Sequence, residues 1–246
     1  MARGMGIAVA VAVMMLAEQV VAGDGPMELT FALPAGTKLH YRLETEIEAT
    51  VRGAVFTTTL SADAVLTPVV DAKSENVLVN IVFEKVEGAT RMGDEIRPLD
   101  VNVDGRSAQA EVTRRGVLVH VEPAADLSTA QKGLLTDLAD AFFAQLPAKP
   151  VKVGEEWKQD LVTRKASESG SGDFTFEEIT EKYGVECARI LGEFAMQSSE
   201  PALKGKGRVE SHIAVAGGYV VAQKGTLDMQ GEGPGALQSF ELKLKR

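Results

Sequence analysis

The residues that could do chemistry in this chain are few and scattered. There are three histidines, His40, His120 and His212, and one cysteine, Cys187. A zinc ion needs several nitrogen, sulfur or carboxylate ligands converging at close range. Neither an H-E-x-x-H helix nor a paired C-x-x-C occurs, so no metal site is assigned. His40 and His212 fall among the polar residues of their segments, beside Glu44 and Glu210. Both read as surface histidines on a solvated sheet face. Cys187 lies in "YGVECARIL", far in sequence from any histidine that could activate it. It reads as a small buried hydrophobe, and a lone thiol makes no internal disulfide.

Serine and phosphate chemistry find no better footing. "SGSGD", Ser169 to Asp173, is not a strand-turn-helix nucleophile elbow, and its composition reads as a flexible hairpin tip within "ASESGSGD". "GKGR" at 205–208 precedes a strand and lacks the helix N-terminus that would hold phosphate. Carboxylates do cluster: Asp94, Glu95, Asp100 and Asp104 lie in "RMGDEIRPLDVNVDGRS". Asp100, Asn102 and Asp104 alternate before Gly105 as at the start of a calcium loop, without its downstream glutamate, and Val101 and Val103 suit an ordinary strand. This acidic turn is the one motive for a metal-assisted hydrolase. No catalytic residue and no cofactor is assigned.

Those few groups must be held by a chain of 246 residues, 45% hydrophobic and 25% charged, enough for a true core. The net charge is −9 with cations scattered singly, which argues against nucleic acid as a partner. Aromatics are only 5%, which argues against a stacking platform for sugars or bases. Residues 1–22 read as a signal peptide: Arg3, then the apolar run "IAVAVAVMMLA", then small residues up to Ala22. The run is too short to span a bilayer. A linker, 23–27, would then lead into one β-rich domain, 28–246, in a periplasmic or extracellular protein.

Period-2 alternation dominates that domain. Leu39, Tyr41, Leu43 and Ile47 share one face, as do Phe56, Leu60, Ala62, Ala64 and Leu66, and again Val77, Val79, Ile81 and Phe83. A hairpin turns near Arg115-Gly116, and further strands are expected at 155–165, 173–183, 185–197, 206–216, 218–229 and 237–245, with a tight turn in "AVAGGYVV". One amphipathic helix is expected over 126–146, with Leu127, Leu134, Leu135, Leu138, Phe142 and Leu146 along its stripe. Ser128 or Asp126 would cap it, and Pro147 would stop it. Segments 28–125 and 151–246 then form two similar β-halves, a faint internal duplication.

Between them lies "LPAKPVKVGEEW", Leu146 to Trp157. Leu146 closes the helical stripe, Pro147 and Pro150 keep the chain extended, Val151 and Val153 press on the core, Gly154 turns and Trp157 anchors the second half. The stretch is similar to the L-P-x-x-P-V-x-V-G-x-x-W segment of a family of secreted bacterial β-rich proteins of unassigned function, matching at Leu146, Pro147, Pro150, Val151, Val153, Gly154 and Trp157. That resemblance implies antiparallel strands on both sides and no catalytic residues. The layout also resembles, more weakly, the half-barrels of lipoprotein carriers.

The expected fold is mainly β (α+β), a curved antiparallel sheet or half-barrel covered by one helix. The expected role is a non-catalytic envelope protein that binds an apolar small molecule, a lipid or another envelope protein. A hydrolase or a purely structural protein are the alternatives.

Overall fold

The computed structural model describes residues 25–51, 53–69, 75–163, 167–199, 202–231 and 235–245; the expected signal peptide lies outside them. The strands are β1 (Leu39–Val51), β2 (Ala54–Val69), β3 (Val77–Met92), β4 (Glu95–Pro98), β5 (Arg106–Val112) and β6 (Leu118–Pro123). Helix α1 (Thr129–Asp140) follows, then β7 (Glu156–Leu161), β8 (Glu168–Lys182), β9 (Val185–Ser199), β10 (Ala202–Ala214), β11 (Val220–Gly231) and β12 (Ala236–Lys245). All twelve join one antiparallel sheet, ordered β6-β5-β3-β2-β1-β12-β11-β10-β9-β8-β7, with β4 beside β3. Chain neighbours pair almost throughout, as short connections favour. The two expected halves meet where β1 pairs β12. The sheet does not close: β6 and β7 are its two edges, and the chain between them carries α1.

The alternation puts one apolar face inside. Leu39, Tyr41 and Leu43 on β1, Ala62, Ala64 and Leu66 on β2, and Val79, Ile81 and Phe83 on β3 are buried, while the residues between them turn to the other face. Three pieces fill this face: Leu135 and Leu138 from α1, Phe142, Phe143 and Leu146 beyond it, and Leu29, Phe31 and Leu33 from the N-terminal segment. Phe142 lies 5.6 Å from the Tyr41 ring and 6.2 Å from that of Phe83. Phe143 meets Phe31 edge-on at 5.6 Å. The Tyr41 hydroxyl donates to the Val220 carbonyl at 2.5 Å, tying β1 to β11 within this core.

The helix is shorter than the 126–146 expected. Ser128 caps it in a reciprocal capping box with Gln131. It ends at Asp140, before any proline. Phe142 and Phe143, just beyond it, are both buried. The chain leaves the helix here and becomes a strap. Leu146 N–H donates to Arg115 O at 2.8 Å, and the Arg115 guanidinium donates back to Leu146 O at 3.3 Å. At Gly116, φ is +70° and a side chain would strike the Ala144 carbonyl of the strap; glycine is needed on both counts.

A second strap, residues 27–33, escaped the sequence reading. Met27 pairs with Val151, Phe31 N–H donates to Arg114 O, and Ala32 N–H donates to Gly217 O. It therefore joins the β5–β6 hairpin to the β10–β11 turn across the filled end of the sheet. At Gly218, with φ +59°, a Cβ would sit 2.5 Å from the Thr30 carbonyl oxygen.

Other expectations are corrected. Of "ASESGSGD", Glu168–Asp173 opens β8 rather than forming a hairpin tip, and "GKGR" lies inside β10. Val153 is exposed in a turn with Gly154, so only Val151 presses on the core. Val101 and Val103 are not in a strand, although Val103 is fully buried. His212 is buried rather than on the surface, with a relative exposure of 8%.

Candidate functional site

The inner face divides into two halves along the strands. The straps and α1 fill one half. The other continues as three cross-strand rows that α1, seated on β5 and β6, does not reach. The first row runs Trp157, Phe174, Gly192, Val209, Gly225, Phe240, Thr45 and Leu60. The second holds Gly172, Phe194, Gly207, Leu227 and Ile47, and the third Gly170, Met196, Gly205, Met229 and Phe56, in the same registers. The large side chains of these rows are half-buried, neither sealed in a core nor free in solvent.

Large and vanishing side chains alternate across β8–β11. A Cβ on Gly192 would come within 2.6 Å of the Phe174 ring, and one on Gly225 within 2.7 Å of the Phe240 ring. A Cβ on Gly207 would collide with Phe194 and come within 2.6 Å of the Thr226 carbonyl oxygen. The rings thus lie down over the neighbouring backbone instead of standing up from the sheet. The result is a smooth apolar floor of aromatic, aliphatic and methionine groups. Methionine adapts to varied partner shapes because its unbranched side chain is flexible.

Where this floor meets the first strap, a cleft of about 410 Å³ opens, within the size range of small-molecule sites. Phe143 and Leu146 wall it on the strap side, and Trp157, Phe174, Phe194 and Phe240 on the sheet side. Trp157 stacks on Phe174 with ring centres 5.7 Å apart, and its indole N–H donates to Gln159 Oε1 at 3.2 Å. The strap is clamped to β7 by Gln145. Its amide donates to Asp160 O at 2.9 Å and its Oε1 accepts from Val162 N–H at 2.9 Å, while Gln159 donates to Gln145 O at 3.3 Å. Two neutral polar side chains, Ser211 and Gln223, interrupt the apolar wall on the sheet side, while Asp137, Asp140 and Glu168 line the cleft elsewhere and give it no positive charge.

The opposite face is polar. A broad open groove of about 1720 Å³ crosses it, walled by two successive rows that include Glu44, Glu241 and Lys224, then Glu46, Arg208 and Glu193. Its charges are largely matched across strands: Glu210 to Lys224 at 2.9 Å and to Arg189 at 3.1 Å, and Arg208 to Glu193 at 3.0 Å. The Lys224 and Arg189 bonds hold Glu210 below the usual carboxylate range despite its partial burial. Burial raises Asp63, but hydrogen bonds from Lys245 and Arg42 outweigh it and leave that carboxyl low as well. Burial, followed by the Lys182 charge, lowers His212, with Glu210 at 4.0 Å opposing. Cys187 is fully buried and its thiol is pushed up to about 11 by burial, which leaves it protonated and unreactive at neutral pH.

The acidic turn does not assemble. Glu95 pairs with Arg97, Asp104 accepts from Val86 N–H at 2.8 Å, and Asp94 and Asp100 stand exposed. Among the described residues no three His, Cys, Asp or Glu side chains converge on a metal position. Of the motif residues, Leu146, Pro147 and Val151 are buried, Pro150 and Val153 are exposed, Gly154 turns with φ +81°, and Trp157 borders the cleft. The aromatic residues of β8, β9 and β12 were missed as a site. Their signal was present in glycines two apart, at 170 and 172 and at 205 and 207.

By class this is a mainly-β protein built on a single large, open antiparallel sheet with one helix. Its fold is similar to part of the structure described as "lipid-protein interactions in lipovitellin", with a TM-score of 0.64 at 8% identity over 87% of this chain. The chain spans 26% of the lipovitellin chain. DynF, from the dynemicin biosynthesis pathway of Micromonospora chersina, aligns over 91% of this chain and 86% of its own at 8% identity, but its TM-score of 0.21 carries no argument. No family model and no curated protein sequence matches the chain.

Proposed function

We propose that the protein is a non-catalytic carrier or receptor for an apolar ligand, lodged in the cleft between the first strap and the inner face. The observation that carries this reading is the half-buried floor of Trp157, Phe174, Phe194, Met196 and Phe240 beside that cleft. An apolar surface left partly in water gains about 25 cal/mol for each Å² that a ligand covers. The lipovitellin likeness supports the fold needed for such a role. Export is part of the proposal: cleavage after Ala22 would make Gly23 the mature N-terminus, which N-terminal sequencing of the protein from its own host would check.

Native mass spectrometry of that same material tests the binding. The proposal expects an added mass that organic solvent removes. A clean apo mass, together with no uptake of alkyl-chain probes, would leave a protein-docking role for the floor instead.

A further inference from the structure

Ser211 and Gln223 face each other across β10 and β11 on the inner face. Gln223 Nε2 donates to Ser211 Oγ at 3.1 Å. Along the same row stand Phe176, Ile190, Leu242 and Leu43, all buried and apolar. A hydroxyl and an amide at these two positions add nothing to the packing that an aliphatic pair would not. Among the described residues no side-chain nitrogen or oxygen is buried without a partner, and Gln223 is half-buried, so the hydrogen-bonding capacity left over by their mutual bond stays open to water or a ligand. Ser211 is only 5% exposed, and both side chains line the cleft. A hydrocarbon pressed over them would strip their water and return no hydrogen bond. A ligand oxygen would return one.

We infer that Gln223 and Ser211 are the polar anchor of the cleft, and that its ligand is an alkyl chain bearing an uncharged oxygen function such as an alcohol or ester. The inference rests on the apolar-ligand reading above and adds the chemistry of the ligand's polar end. A neutral amide and hydroxyl can both donate to and accept from an alcohol. They offer no countercharge for a carboxylate, whose burial is far costlier.

Trp157 is the sole tryptophan and borders the cleft, so its emission reports binding directly. Intact protein is titrated with 1-decanol, with 1-bromodecane and, at pH 8, with decanoate, in wild type, Gln223→Leu and Ser211→Ala. The expected result is an about tenfold loss of 1-decanol affinity in Gln223→Leu, a smaller loss in Ser211→Ala, and no loss for 1-bromodecane. Should one variant fail to fold, the other carries the comparison. Equal changes for both probes, or none, overturn the anchor while leaving the apolar site intact. Tighter binding of decanoate than of 1-decanol by the wild type overturns the uncharged assignment. Failure of 1-bromodecane and 1-decanol alike to bind overturns the site itself.

Discussion

Glycine positions separate function from local convenience. Gly207 is bounded by the Phe194 ring and the Thr226 backbone, so Gly207→Ala should destabilise by about 1–3 kcal/mol, read by urea unfolding. Gly133, exposed in α1 with open space around it, should behave oppositely, with Gly133→Ala gaining about 0.4–1 kcal/mol. The two glycines are indistinguishable by residue type alone until their elements and register are known. A glycine inside β8 or β10 looks like linker because glycine has no apolar side chain to reveal the alternation. His212 was misread for a related reason: Glu210 and Ser211 precede it along the strand, but burial is set by β9 and β11 beside it. Its lowered pKa has a defined consequence. Above roughly pH 6.5 both folded and unfolded states hold it neutral. As pH falls below that value the unfolded chain takes the proton first, so stability declines. Unfolding at pH 7 and pH 5 should show the decline in wild type and a weaker one in His212→Gln. The low carboxyls Asp63 and Glu210 act separately, with their stability lost only as pH falls through and below the ordinary carboxylate range near 4.

Element existence was readable where one face is buried and the other wet. β1, β2 and β3 appear in the alternation almost residue for residue, as does the Arg115-Gly116 turn. The end of α1 was not readable, because it is fixed by tertiary contacts: the carbonyl of Leu146 and its N–H find partners on Arg115. Leu29, Phe31 and Leu33 carried the alternation too, but without a paired strand they form a strap held at only a few points. The capping box, by contrast, is local, and Ser128→Ala should destabilise by about 0.5–2 kcal/mol. Trp157→Ala tests the element that joins the halves. Because the indole is half-buried and stacked rather than sealed in the core, its removal should destabilise by about 0.5–3 kcal/mol. It should also weaken ligand binding, since the ring forms part of the cleft wall. Calorimetric unfolding and probe titration of the same variant separate the two effects.

At the scale of the whole molecule, one sheet carries two different surfaces. The outer face is charged, with most of its cations paired across strands. The inner face is filled at one end by α1 and two straps and left as an apolar floor at the other. A half-covered apolar face of this kind is stabilised by whatever covers it. The most direct test is covalent. An alkyl-chain alcohol bearing a diazirine is bound to the intact protein, activated by light, and its adducts are mapped by peptide mass spectrometry. Adducts are expected on Phe174, Phe194, Met196, Phe240 and the strap near Phe143, lost on competition with unlabelled 1-decanol. Adducts confined to the polar groove around Glu44 and Glu46, or scattered without competition, would contradict ligand binding on the floor.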